Sequence, residues 1–161
     1  MVVQLALVAA WLAVLSVVAL AVKRETLFVG LSVLRSDAVI AGLSIGDAAP
    51  RGLSSGRGYR LALFLSSDCP PCHEFADYLN DESIHTPLTV AISGPPDLAS
   101  QLAARIPRAA DVVIGEAADT IVAAARVTFQ PFALLVRDGI VAGKSYPTSP
   151  RSLELMITGA E

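Results

Sequence analysis

The chain is poor in cysteine. Two residues, Cys69 and Cys72, lie three positions apart in 161 residues. A pair that close cannot staple distant parts of a fold, so a disulfide scaffold is excluded and a local device is left: redox, metal or haem attachment. Clustered basic charge is also missing. Lys and Arg are scattered over a chain of formal net charge −3, with no basic patch interleaved with aromatics. A nucleic-acid partner therefore has no support. Histidine is scarce too, at His73 and His85, and with the two cysteines these do not follow a zinc spacing. No metal is expected. No internal repeat and no low-complexity tract is present.

One segment lacks charge altogether. Val2 to Val22, VVQLALVAAWLAVLSVVALAV, has Gln4 and Ser16 as its only clearly polar residues. A bilayer-spanning helix needs roughly 20 such residues. The competing reading is a cleaved signal peptide, for which Ala19-Leu20-Ala21 is a small-x-small site. No Lys or Arg precedes the run, however, and it exceeds the usual signal core of about 7–15 residues. A retained anchor over residues 1–22 is therefore expected. Lys23 and Arg24 follow the span, and the positive-inside tendency would put the remainder in the cytoplasm. That tendency weakens for long translocated domains, so charge alone leaves the orientation open.

Residues 23–58 read as a connector, with a flexible Gly52 to Gly58 stretch (GLSSGRG). From Tyr59 to the end, at residue 161, the pattern is that of one domain. Arg60 to Ser66 is a continuous apolar run, as a buried strand requires. Pro70 to Asn80 has helical spacing at Phe75, Tyr78 and Leu79. Strands are expected at Pro87 to Ser93 and Asp111 to Ile114, and helices at Asp97 to Ile106 and Glu116 to Val127. Phe132 to Val136 and Ile140 to Tyr146 flank Asp138-Gly139, a strong hairpin signal. Ser149 to Ile157 is a final helix. The order β-α-β-α-β-α-β-β-α argues for an α/β fold with a central mixed sheet covered on both faces.

Cys69-Pro70-Pro71-Cys72 lies where the first strand hands over to the first helix. A thiolate there faces unpaired backbone N–H groups and the positive end of the helix dipole, which favours the reactive form. Pro70 suits the first helical position because its missing N–H would be unpaired anyway. Cys69 should attack a substrate disulfide, and the deeper Cys72 should resolve the mixed disulfide. Asp68 would oppose thiolate formation, or simply help cap the helix. A protonated His73 would favour the thiolate, or be a solvated surface residue. Glu74 reads as a dipole complement. Cys69 to His73 also matches the C-x-x-C-H signature of c-type haem attachment. Two successive prolines would stiffen a segment that must wrap a porphyrin, so no cofactor is assigned. Pro131, just before an apolar strand, cannot donate to the sheet, and an X–Pro bond at such a place is often cis.

The strand, the CPPC motif, the helix and the later Phe129-Gln130-Pro131-Phe132 before a D-G hairpin resemble the thioredoxin superfamily. The closer similarity is to membrane-anchored bacterial members, the TlpA-like and MauD-like proteins. It is carried by the apolar anchor, by Ile45-Gly46-Asp47-Ala48-Ala49-Pro50, and by the run from Leu63 to Cys72. The resemblance implies a thioredoxin-like fold after one transmembrane helix. It implies that Pro131 is a cis-proline facing the motif and that the Gln130 backbone pairs with substrate. It also implies a thiol–disulfide oxidoreductase working outside the cytoplasm on a disulfide-bearing partner protein, fed by an integral-membrane electron donor. Pro71 is shared with reducing thioredoxins. Asp68 stands where thioredoxin has a Trp, and Leu63 stands at the position of its buried acid. The stretch before the motif is short for a TlpA-like domain. The Thr that precedes a peroxidatic cysteine is absent. A different class of reading is a non-catalytic assembly partner that docks another membrane protein through the anchor and residues 25–45, with the cysteines as a structural bridge.

Overall fold

The computed structural model describes residues 41–53, 57–81 and 84–159. The expected anchor and the first part of the connector lie outside these residues. No helix among those described is long and apolar enough to cross a membrane.

β1 (Tyr59–Ser66) is the central strand, and its apolar run is continuous because both of its faces are covered. It pairs parallel with β2 (Leu88–Ser93) and antiparallel with β4 (Phe132–Arg137). β3 (Asp111–Ile114) extends the sheet parallel to β2, and β5 (Ile140–Ser145) extends it antiparallel to β4. The order is β3-β2-β1-β4-β5. Alternation along β1 sorts the core. Leu61, Leu63 and Leu65 face a cluster closed by α1 (Pro70–Asp81), α2 (Pro96–Ala103) and α4 (Pro150–Thr158). Ala62 and Phe64 face a second cluster closed by α3 (Glu116–Ala124).

The element order is the one read from the sequence, and the differences lie at ends. α3 stops at Ala124 rather than Val127 because the chain turns into a Schellman closure. Arg126 takes φ 55°, its N–H bonds the Ala123 carbonyl, and the Val127 N–H bonds that of Val122. Asp138 and Gly139 take φ 51° and 82° in the hairpin, as the D-G signal requires. The Asp138 carboxylate also accepts from the Gly58 N–H at 2.8 Å.

Residues 41–53, read as connector from sequence, pack into the second cluster. Leu43 and Leu53 are buried there. Ala48 bridges Ile140, and Gly46 and Ala49 donate to the Val141 and Gly139 carbonyls, so this segment covers the open edge of β5. At Gly42 a Cβ would stand 2.7 Å from the Phe132 ring, and φ is +99°, so only glycine allows so close an approach.

Candidate active site

Cys69 sits just before the first residue of α1, at the carboxyl end of β1. The turn that delivers it is closely tied. The Ser67 N–H donates to the Ser93 carbonyl, the Cys69 N–H to the Ser66 carbonyl, and the Asp68 N–H to Ser66 Oγ. The Cys69 side chain is half-buried, and its Sγ donates to the Gln130 carbonyl oxygen at 3.3 Å. Pro70 and Pro71 are exposed beside it.

Cys72 lies one turn on and is fully buried in the cluster formed by Leu63, Leu65 and Phe75. Burial, together with a hydrogen bond to Cys69, pushes its thiol up to about 12. The Ser66 N–H, 3.5 Å from its Sγ, works in the opposite direction. Both cysteines are free thiols. Leu63 is fully buried in the same cluster, and among the described residues the buried polar side chains are Ser67 and Thr89, neither a carboxylate.

The Gln130–Pro131 bond is cis and faces the motif through the Gln130 carbonyl. The Gln130 side chain donates to Ser93 Oγ, which in turn reaches the Leu65 carbonyl, so the loop is tied to the ends of β2 and β1. A groove of about 350 Å³ opens between α1 and this loop. Pro71, Phe75, Tyr78, Pro131 and Tyr146 give it apolar walls, and Glu74 is its one charged wall residue. Phe129, beside Gln130, is 70% exposed.

Asp68 is exposed. His73 is half-buried and engaged at both ring nitrogens. Its Nε2 meets the Ser67 carbonyl at 2.8 Å, and its Nδ1 meets Arg105 Nη1 at 2.9 Å. Arg105 also bonds Asp77, which holds that carboxyl below its usual range. With both ring nitrogens engaged and Cys72 buried, the C-x-x-C-H spacing does not present a haem-binding set. His85 is exposed and is not in contact with the motif by any described bond. Among the described residues no group of three or more His, Cys, Asp or Glu could hold a metal.

Sequence reasoning did not reach Arg105, Ser93, Tyr78 or Tyr146 as site residues. Arg105 is 32 positions from His73, and no spacing rule links them.

The sheet order, the cysteine pair at a strand–helix junction and the cis-proline opposite it define a thioredoxin-like fold. Solved structures agree at the level of fold. A protein described as thiol:disulfide interchange protein DsbE from Chlorobium tepidum superposes with a TM-score of 0.58 at 19% identity, covering 73% of this chain and 98% of its own. DsbF of Mycobacterium tuberculosis gives 0.52 at 17% identity, over 65% of this chain and 81% of its own. A thioredoxin-like protein from Aeropyrum pernix gives 0.52 at 14%, over 85% and 99%. No protein-family model matches the sequence, and no curated protein matches it.

Proposed function

We propose that this protein is a thiol–disulfide oxidoreductase acting on disulfide-bearing polypeptides. The observation that carries the reading is the arrangement of three groups: a half-exposed Cys69 at the start of α1, a buried Cys72 behind it, and the Gln130 carbonyl with cis-Pro131 in front. The two sulfurs differ in access, and that difference assigns their order. Cys69 as thiolate attacks one sulfur of the substrate disulfide. The substrate S–S bond breaks, a Cys69–substrate bond forms, and the released sulfur takes up a proton. Cys72 then gives up its proton and attacks Cys69 Sγ, which releases the second substrate thiol and closes Cys69–Cys72. Two electrons pass to the substrate, and the dithiol is restored by an outside reductant. The same first step without resolution, followed by return attack from another substrate thiol, isomerises a disulfide.

The groove beside Cys69 is the seat for the substrate chain, with Gln130 offering its backbone. Asp68, Pro70, Pro71 and His73, neighbours of the two cysteines along the chain, would tune the attacking sulfur. We further propose that residues 1–22 anchor the protein in the cell membrane by a single pass, with the connector at 23–58 leading to a catalytic domain outside the cytoplasm. An integral-membrane donor would then supply electrons in the manner of the TlpA-like and MauD-like proteins. The uncharged run from Val2 to Val22 supports the anchor.

Reduction of insulin or of a fluorescent disulfide peptide by the reduced protein tests the activity. Turnover is expected, and Cys69→Ser should abolish it. Undiminished turnover in that variant would overturn the reading.

A further inference from the structure

The turn that presents Cys69 is tied on its helix side by a chain of bonds running to α2. The Ser67 carbonyl accepts from His73 Nε2 at 2.8 Å. Arg105, two residues beyond the end of α2, meets His73 Nδ1 through Nη1 at 2.9 Å and the His73 carbonyl through Nη2 at 3.2 Å. Its Nε donates to Asp77 at 2.8 Å, and its Nη2 bonds the same carboxylate. One guanidinium thus meets three acceptors on α1.

A guanidinium can only donate. His73 Nδ1 must therefore accept, which places the ring proton on Nε2. That nitrogen then donates to the Ser67 carbonyl. In the opposite tautomer a lone pair would face the carbonyl oxygen at 2.8 Å, and an N–H would face Arg105. Both partners select that tautomer, and Arg105 holds the ring in line for its bond to the turn.

On the helix side the Cys69 carbonyl accepts from the Cys72 and His73 N–H groups, and Ser67 is held separately. The Ser67 hydroxyl is buried with no hydrogen-bond partner, pressed against Gly94, where a Cβ would come within 2.2 Å of it. The Ser67 carbonyl is thus where this residue is fastened to the helix.

We infer that Arg105 is a positioning residue for Cys69, acting by holding the His73 ring against the Ser67 carbonyl. The inference rests on the redox reading for its purpose, because transfer between sulfurs depends on Cys69 being held over Cys72 and towards the groove. Lysine cannot replace Arg105. A single ammonium cannot meet the ring, the carbonyl and the carboxylate with the planar fork that spans them here.

The test uses the reduced full chain with Arg105→Met and Arg105→Lys. Imidazole nitrogen NMR shifts report the tautomer. The rate of Cys69 alkylation by iodoacetamide at neutral pH and the dithiol reduction potential report its effect. In the wild type the His73 proton should sit on Nε2. In both variants the ring should come loose from the Ser67 carbonyl and lose its Nε2–H preference, Cys69 alkylation should slow about tenfold, and the potential should move. A purely structural role would lower the thermal midpoint without changing either thiol readout. A wild-type alkylation rate and potential in Arg105→Met would overturn the inference. So would rescue of both by Arg105→Lys, which would make charge rather than geometry the cause. None of these readouts needs substrate turnover. A protein that fails to reduce disulfides while showing them would lose the proposed function and keep the positioning role.

Discussion

At the scale of single residues, Cys69 and Cys72 have the same chemistry and opposite surroundings. Cys69 reaches the surface beside Gln130, and Cys72 is closed in by Leu63, Leu65 and Phe75. In the reduced protein, iodoacetamide should label Cys69 alone, as peptide mass mapping would show. Cys72→Ser should leave the first attack intact and accumulate a mixed disulfide with substrate, visible as a shifted band on a non-reducing gel. Burial of the Cys72 thiol also couples its proton to folding. The unfolded chain releases that proton near the ordinary 9.0, while the folded one holds it to about 12. The unfolded state therefore gains as pH rises, and stability present below about 9 is lost between about 9 and about 12. Denaturant midpoints of the reduced wild type should fall across that window, and those of Cys72→Ala should fall less.

At the scale of elements, two segments do work that their sequences conceal. Residues 41–53 are short, turn-rich and glycine-containing, yet they seat Leu43 and Leu53 in the core and cover β5. Leu53→Ala should cost about 2–5 kcal/mol by chemical denaturation, the range for emptying a buried leucine site. A soluble fragment should accordingly start before Gly42. The second segment is the exposed side of α1. Tyr78 is half-exposed, and its role changes once Tyr146 and Pro131 are seen across the groove. Replacing Tyr78 and Tyr146 together with Ser should raise KM for a peptide disulfide about tenfold with kcat within about twofold. Loss of uniform binding predicts that split. An equal loss in kcat would place these rings in the chemical step instead.

At the scale of the whole molecule, β1 belongs to both apolar clusters, one on each face of the sheet. Neither face can be dismantled without exposing the central strand. Residues 41–159 should therefore unfold in one transition, with far-UV circular dichroism and alkylation of Cys72 following the same denaturant curve. Much of this architecture was legible in the sequence. The apolar run of β1, the helical spacing after Pro70 and the Asp138-Gly139 turn are local signals, and each names its element from neighbours a few positions away. Ends were less legible, as α3 shows. Its stop depends on Arg126 entering the left-handed region, which no composition rule assigns to arginine.

The sequence by itself determined the cysteine pair and its place at a strand–helix junction, because spacing and backbone chemistry act over a few residues. The tertiary structure alone decided how completely Cys72 is buried, what lies beneath it and what holds His73. Burial depends on packing from distant strands, and the bond from Arg105 to His73 joins residues 32 positions apart. Local sequence carries no record of either. Among the described residues, apolar side chains including Leu63 pack in the cluster that holds Cys72, and no buried side chain is a carboxylate.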